Sequence, residues 1–180
     1  MIEMYVSGLA FDTLSNAPVV LLKERQGERM LPIWIGPNEA GVIALELSGM
    51  VYKRPLTHDL LKSILRGFNA ELQKVVVSSL QENTFFAKFY ILASEHEIIE
   101  IDARPSDSIA MALKMHAPIF ISEELEESLI LLSSEENEEG GEGGEGGEED
   151  TEEGRDFTAW QDLRKRLRNI RPEDFGNYNL

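Results

Sequence analysis

The sequence predicts an α+β fold, in which a mixed and largely antiparallel β-sheet packs with three to four helices in a single compact domain. Segments with strand-like composition are grouped in runs that short turns join. Helical segments stand between these runs without the strict strand–helix rhythm of a parallel α/β sheet. Residues 1–132 precede a long acidic segment, and a chain of this length can form one substantial core.

The first part of the predicted domain begins with strands. MYVSGLAF and PVVLLKER flank a turn at residues 15–18, and a second turn leads into RMLPIWIG. Gly36-Pro37 then opens a helix over residues 37–48, because proline suits the first helical position, and Gly49 ends it. Apolar residues cover most of this helix, which predicts burial on several sides.

The second part of the predicted domain begins with a helix that Thr57 can cap. Its predicted core stripe consists of Leu60, Leu61, Ile64, Leu65 and Phe68. Three strands follow, LQKVVVSSL, TFFAKFYIL and EIIEIDA, and then a helix that opens at Pro-Ser-Asp-Ser. A short strand at APIFI and a helix from Ser122 to about Leu132 complete the predicted domain.

The charge of the chain is strongly negative and unevenly distributed. Of the net charge of −16, residues 1–132 carry −7, residues 133–154 carry −11 and residues 155–180 carry +2. A nonspecific nucleic-acid binder gains its affinity mainly from cations on phosphates, so this acidic body would need a local basic patch. The chain has no cysteine, which excludes disulfides, thiolate metal sites and cysteine nucleophiles.

No segment predicts export or membrane insertion. The N-terminal residues lack a basic region followed by an uninterrupted apolar run. No stretch approaches the roughly 18 apolar residues that a membrane span needs. We therefore expect a soluble cytoplasmic protein that has no membrane partner.

Two segments follow the predicted domain. Residues 133–154 are rich in glycine and glutamate and contain no apolar residue, which predicts a disordered linker. Residues 155–180 predict an amphipathic helix with basic polar faces and one apolar stripe, formed by Phe157, Trp160, Leu163, Leu167 and Ile170. We expect such a helix to dock on its own domain, on a sister subunit or on a separate protein partner.

Two carboxylates stand on the otherwise apolar helix at residues 37–48. Glu39 and Glu46 are seven residues apart, so they lie nearly above one another on one strip of the helix. Carboxylates in such surroundings need cations, water or a metal ion. They either pair with arginines or line a solvent seam, or they belong to a site for a hard divalent cation such as Mg²⁺ or Mn²⁺.

The second helix carries the best candidate surface for phosphate contacts. His58, Lys62 and Arg66 recur every four residues beside its apolar stripe, and Arg54 lies just upstream. Cations on such a ridge can hold a nucleic-acid backbone, but they can equally form an ordinary solvated helix face.

The segment DARPSDSIAMALK places polar residues at the mouth of an apolar helix. Ser106 or Ser108 can accept from a free backbone N–H group, and Asp107 favours the positive end of the helix dipole. Capping does not explain Arg104. It either holds an anion together with the helix N-terminus, or it forms an ion pair with Asp107 or a helix glutamate.

Spacing alone names no enzyme, but three motifs resemble a known family. LPIWIGPNEAGVIALELSG, RPLTHDLLKSIL and IDARPSDSIAMALKMHAPIF resemble, in order and approximate spacing, the bifunctional nuclease domain family. The resemblance covers about residues 1–130. It implies an α+β domain, a homodimer and a family in which RNase and DNase activities occur.

The polar positions that match the family motifs are Glu39, Glu46, Arg54, Thr57, His58, Asp59, Asp102, Arg104, Ser106 and Asp107. Our hypothesis is metal-dependent hydrolysis of phosphodiesters in RNA or DNA. Glu39, Glu46 and Asp107 would hold Mg²⁺ or Mn²⁺. Catalysis would involve Glu46, His58 and Asp107, with His58 as general acid or base. The nucleic-acid backbone would be positioned by Arg54, Lys62, Arg66, Arg104 and Ser106.

The alternative hypothesis is a non-catalytic, dimeric regulatory module that recruits a protein partner through its C-terminal helix. The acidic domain and the lack of a recognisable catalytic spacing favour this alternative. The tail sequence LRKRLRNIRPEDFGNY also resembles the first half of the UVR motif, a helical hairpin of excision-repair proteins.

Overall fold

The computed structural model of the protein describes residues 1–12, 15–93 and 97–131. In this part of the chain, eight strands form one sheet beside three α-helices and one 3₁₀ helix. The strands are β1 (Ile2–Asp12), β2 (Ala17–Glu24), β3 (Arg29–Trp34), β4 (Glu71–Gln81), β5 (Thr84–Leu92), β6 (Ile98–Ala103), β7 (Ile119–Ile121) and β8 (Ile130–Leu131). The helices are α1 (Pro37–Ser48), α2 (Thr57–Gly67) and α3 (Pro105–Met115), and the 3₁₀ helix spans Glu123–Ser128.

The predicted α+β class, with a mixed and largely antiparallel sheet, is confirmed. The strand order is β6–β5–β4–β7–β1–β2–β3–β8. Every neighbouring pair is antiparallel except β4 and β7, which are parallel. The short strand β7 therefore joins the antiparallel β1–β3 group to the antiparallel β4–β6 group, and α3 carries the chain from the sheet edge back to this central position.

The core follows from the alternation of side chains along the strands. Val20 and Leu22 of β2 pack in the main cluster with Ile43 of α1 and Ile109 of α3. Val19 and Leu21, which alternate with these residues along β2, face the other side of the sheet. There a smaller cluster forms, in which Trp34 packs against the buried residues Ala10, Val19, Leu21, Met30 and Ile130.

Helix α1 has the predicted bounds. Pro37 occupies its first turn, and Gly49 ends it with a φ of 67°, in the left-handed region that glycine adopts without strain. The prediction that α1 is buried on several sides is wrong, because only Ala40 and Ile43 are buried. The helix packs against α3 and β2 and leaves its remaining sides near the surface.

Helix α2 is rotated relative to the prediction. Leu60 is 56% exposed and Phe68 is 75% exposed, whereas His58 is buried and Leu65 packs on the core. The predicted core stripe of this helix is therefore wrong for all but one of its members. The reason is that α2 rests mainly on α3, and polar contacts to α3 occupy its inner side.

The predicted helix from Ser122 to about Leu132 is also wrong. The side chain of Ser122 accepts a hydrogen bond from the Glu124 backbone at 3.4 Å, but only the 3₁₀ helix follows. Four glutamates fall within this segment, and like charges three or four residues apart oppose an α-helix. The chain then extends as β8 and pairs with β3.

The predicted linker at residues 133–154 and the predicted tail helix at residues 155–180, with its UVR-like segment, lie outside the described residues. Among the helices of the described part, none is long and apolar enough to cross a membrane.

Candidate functional site

The three α-helices meet at two groups of charged side chains. We call the first the Arg104 cluster, which consists of Arg104, Glu39, Asp107 and His58. We call the second the Lys114 cluster, which consists of Lys114, Glu46, Asp59 and Lys62. Glu39 and Glu46 of α1 are seven residues apart, and so are Asp107 and Lys114 of α3. The two clusters therefore lie two helical turns apart, about 10 Å along these two helices.

In the Arg104 cluster, one guanidinium holds two carboxylates. Arg104 donates from Nε and Nη2 to the two oxygens of Asp107, at 2.7 and 3.1 Å, and from Nη1 to Glu39 Oε1 at 2.9 Å. These contacts raise the pKa of Arg104 above its ordinary value, and the contact with Asp107 has the larger effect. His58 Nε2 lies 3.5 Å from Asp107 Oδ1. Both alternatives for an ion pair of Arg104, with Asp107 and with a helix glutamate, are therefore confirmed.

Local backbone structure positions this cluster. Arg104 stands at the N-cap of α3, and Asp107 follows in the first turn on the same side. Glu39 folds back on the start of α1, where a Cβ on Gly36 would lie 2.3 Å from Glu39 Oε2. Glycine at position 36 therefore leaves room for the carboxylate that Arg104 binds. His58 reaches the cluster from the inner side of α2.

The Lys114 cluster has a similar pattern but is shielded from water. Lys114 Nζ lies 2.5 Å from Asp59 Oδ1 and 2.6 Å from Glu46 Oε1. Burial favours neutral lysine, but the two carboxylates outweigh it and raise the pKa of Lys114. Hydrogen bonds from Lys114 and from the Leu56 backbone lower the pKa of Asp59. Lys62 donates to the Lys114 carbonyl at 2.9 Å, which ties α2 to the end of α3.

The predicted metal ligands do not fit one metal site. Glu39 and Asp107 pair with Arg104, whereas Glu46 pairs with Lys114 two turns away. In the described ranges 1–12, 15–93 and 97–131, no three His, Cys, Asp or Glu residues are grouped so that they could hold a metal ion. We therefore derive no chemical step through a metal.

The remaining predicted substrate-binding residues occupy different positions. Arg54 and Arg66 are exposed, before and within α2, and neither has an ion pair with another described residue. Lys62 is half-buried at the Lys114 cluster. Because α2 is rotated, His58 is buried and Lys62 is half-buried, so the ridge that their spacing of four predicts is exposed only at Arg66.

The serines of α3 do not cap it, contrary to prediction. Arg104 holds the N-cap position, and no side chain caps the helix. Ser108 is fully buried, and its hydroxyl has no hydrogen-bond partner among the described residues. Ser106 is 7% exposed, and it lines a pocket beside Arg104.

This pocket has a volume of about 780 Å³ and opens beside the Arg104 cluster. The β3–α1 connection, the β4–β5 turn and the start of α3 enclose it. The side chains that define its character are Asp12, Trp34, Asn83, Phe85, Arg104 and Ser106.

Sequence reasoning missed Lys114, Asp12 and Trp34. Lys114 is the one charged residue of α3 after Asp107, and this isolation was a usable signal. Asp12 is 7% exposed at the end of β1, where an acid after an apolar strand also gave a signal. Nothing in the sequence indicates that Asp12 meets Trp34, because register across β1, β2 and β3 brings them together.

Comparison with known proteins identifies the family. The model of the bifunctional nuclease domain matches residues 20–131. An uncharacterized protein of Mycobacterium tuberculosis (strain H37Rv) is 41% identical over 135 residues, which are 75% of this chain and 80% of the relative.

More distant relatives come from plants. Bifunctional nuclease 1 of Oryza sativa subsp. japonica is 21% identical over 116 residues, and bifunctional nuclease 2 of Arabidopsis thaliana is 23% identical over 115 residues. In each case the match covers 63% of this chain and 35% of the plant protein. The family match and the mycobacterial relative together show that this chain belongs to the bifunctional nuclease domain family.

Proposed function

We propose that this protein hydrolyses phosphodiester bonds of RNA or DNA at the Arg104 cluster. Family membership and the names of the plant relatives support a nuclease. The observation that carries the proposal to particular residues is the contact chain from Arg104 through Asp107 to His58. It joins an anion-binding group to a proton-accepting group at the N-terminus of α3.

Arg104 supplies the phosphate contact. Its side chain is 65% exposed, which makes it accessible to a large substrate. A guanidinium has five N–H groups, and the carboxylates use three of them. Two N–H groups therefore have no acceptor among the described residues, and the uncapped start of α3 adds favourable electrostatics for an anion. This provides a local phosphate site within an acidic domain.

His58 and Asp107 supply the proton transfer. The His58 side chain is only 11% exposed and lies behind the carboxylate of Asp107. A water oxygen attacks the phosphorus, and its proton passes by way of Asp107 to the imidazole. The bond from phosphorus to the leaving sugar oxygen breaks, and the imidazolium returns the proton to that oxygen, again by way of Asp107. Histidine suits this role because one imidazole can both accept and donate a proton.

The requirement for Mg²⁺ or Mn²⁺ stays a prediction that rests on the carboxylates of the sequence. The proton transfers above use only side chains of this chain, and the same cleavage assay in EDTA tests the requirement directly. A catalytic or metal-binding role of Glu46 likewise stays a prediction.

Cleavage assays on matched variants test the proposal. We expect Arg104→Ala and His58→Gln each to slow cleavage of labelled single-stranded RNA or DNA by about a hundredfold, the scale of general acid–base catalysis. Arg25→Ala is the control, because Arg25 is also an exposed arginine paired with a glutamate, Glu3, but is remote from the cluster in the fold. Normal cleavage by both cluster variants would show that the activity lies elsewhere or in a contaminant.

The exposed side of α2 favours a second candidate function, a non-catalytic dimeric interaction module. We define the outer α2 surface by Leu56, Leu60, Leu61, Ile64 and Phe68, all of them exposed. Large exposed apolar patches are uncommon on monomeric proteins. The occupant that we propose is a second copy of the chain, and recruitment of a protein partner by residues 155–180 stays a separate prediction.

The oligomeric state tests this second function. We expect the protein to be a dimer in light scattering and Leu60→Asp to shift it to monomer, because a charge in an apolar contact is not compensated. Ile98→Asp is the matched control, since Ile98 is similarly exposed but lies on the edge strand β6. A dimer that survives Leu60→Asp would remove the outer α2 surface from the interface.

A further inference from the structure

The pocket beside the Arg104 cluster contains side chains, such as Trp34, Asn83 and Phe85, that have no role in the proposed hydrolysis. Its volume, about 780 Å³, falls within the range of small-molecule sites. We call the part of its wall that Arg104, Glu39 and Ser106 form the polar end. We call the part that Trp34, Leu80 and Phe85 form the aromatic end.

The polar end has unused hydrogen-bond donors. Ser106 is 7% exposed, and its hydroxyl forms no hydrogen bond with another described residue. A hydroxyl at the wall of a pocket can donate or accept a hydrogen bond to a ligand or to water. The same wall contains the two remaining N–H groups of Arg104 and the uncapped first turn of α3. Arg104 and Ser106 line the same pocket, and donors of this kind suit a phosphate group.

The aromatic end is held rigidly. Trp34 donates from Nε1 to Asp12 Oδ2 at 3.1 Å, and Ser15 donates to the same oxygen at 2.5 Å. Asp12 is almost fully buried, so it fixes the orientation of the indole. A fixed and partly exposed indole is a stacking surface for a flat ring, and any nucleobase can use it.

The β4–β5 turn supplies a polar group at the rim. Glu82 and Asn83 have φ values of 47° and 59°, as a tight two-residue hairpin turn requires. This turn places Asn83 in the wall of the pocket. Its amide both donates and accepts hydrogen bonds, which is the pattern that the edge of a base presents.

From these features we propose that the pocket binds one unstacked nucleotide, with its base against Trp34 and its phosphate at Ser106 and Arg104. The inference rests on the proposed function, because it names the substrate class of that site as single-stranded nucleic acid. A base within a duplex is stacked and paired, so it cannot enter the pocket without a cost in free energy. The same chemistry fits a free nucleoside 5′-monophosphate.

Fluorescence of Trp34 tests the pocket without any cleavage. The chain has two tryptophans, so Trp160→Phe leaves Trp34 as the only one, and all variants are made in this full-length background. We expect nucleoside 5′-monophosphates and a short single-stranded oligonucleotide to quench this fluorescence saturably. A duplex of the same sequence should compete at least tenfold more weakly.

Two substitutions locate the ligand. Ser106→Ala removes the hydroxyl from the pocket wall, and we expect it to weaken binding about tenfold, the effect of losing a hydrogen bond to a charged group. Ser63→Ala, an exposed serine on α2, is its control. Asn83→Asp keeps the side-chain shape but removes the amide donor, and we expect weaker binding than with Gln81→Glu, which adds the same charge on the same hairpin outside the pocket wall.

The outcomes separate this inference from the proposed function. Saturable quenching without cleavage would support the pocket and overturn the nuclease. Cleavage without quenching, or equal competition by duplex and single strand, would overturn the pocket and leave the nuclease. Quenching by the mononucleotide but not by the oligonucleotide would make a free nucleotide the ligand and overturn the single-strand assignment.

Discussion

The Arg104 and Lys114 clusters share one design and differ in their access to water. In both, a cation lies between two carboxylates, one from α1 and one from α2 or α3. The Arg104 side chain is 65% exposed, but that of Lys114 is 10% exposed. Lys114 holds its two carboxylates away from water, whereas Arg104 retains two N–H groups without an acceptor among the described residues and opens on a pocket.

The difference indicates a division of labour along the same three helices. An exposed ion pair contributes little to stability, so stability alone does not account for Arg104. A shielded pair is costly to break, because each remaining charge loses its compensation. We therefore assign the Lys114 cluster to holding the helices together, whereas binding and chemistry at the Arg104 cluster are our proposal.

Lys114→Met should give the largest change in stability. It leaves Glu46 and Asp59 without their cation, and we expect a loss of about 3 kcal/mol in the free energy of unfolding, measured by urea denaturation. Arg104→Ala should cost less than about 1 kcal/mol. Lys88→Met is the matched control, since it removes a lysine from the exposed pair with Glu100. Equal losses for Lys114→Met and Arg104→Ala would refute the division of labour.

A smaller effect is expected in the pH dependence of stability. The pKa of Asp59 is lowered in the folded protein, so its ionised form stabilises the fold above its unfolded pKa, near 4. This stabilisation is lost as the pH falls through the folded pKa. Asp59→Asn should therefore reduce stability at neutral pH by up to about 1 kcal/mol, because the side chain is partly exposed.

The Asp59→Asn variant should also make the free energy of unfolding depend less on pH. Unfolding curves of the wild type and Asp59→Asn should converge only as the pH falls through the lowered pKa of Asp59 in the folded protein, where the carboxylate of the folded state becomes protonated. Glu100→Gln, in the exposed Lys88 pair, is the control and should change the profile less. A constant difference between wild type and Asp59→Asn at all acid pH values would show that Asp59 acts through shape and not through charge.

The sequence predicted those parts of the fold that local chemistry determines. The bounds of α1 follow from Gly36, Pro37 and Gly49, and the three long strands β4–β6 follow from their composition. Rotation of α2 was not predictable, since periodicity shows that a helix is two-faced but not which side meets its neighbour. The sequence did not predict the 3₁₀ helix and the strand β8 after Ser122, because Leu125, Leu129 and Ile130 are equally compatible with an α-helix and with the end of a sheet.

The candidate site was predicted in its members but not in its geometry. Arg104, Asp107, His58 and Glu39 come together in the structure, but their positions in the motifs did not show whether they would. The pairing of Glu46 with Lys114 depends on how α1 packs on α3, and no local signal encodes that contact. The three carboxylates predicted to bind one metal ion therefore pair with two different side chains. Glu39 and Asp107 pair with Arg104, and Glu46 pairs with Lys114.

The most direct test of the central claim is the cleavage rate of Arg104→Ala per folded molecule, measured beside Arg25→Ala on single-stranded RNA and DNA. We expect Arg104→Ala to retain the wild-type unfolding curve and to lose cleavage by about a hundredfold, while Arg25→Ala cuts normally. If Arg104→Ala cuts as fast as the wild type, or loses activity only in proportion to lost stability, the Arg104 cluster is a second structural ion pair and not the functional site.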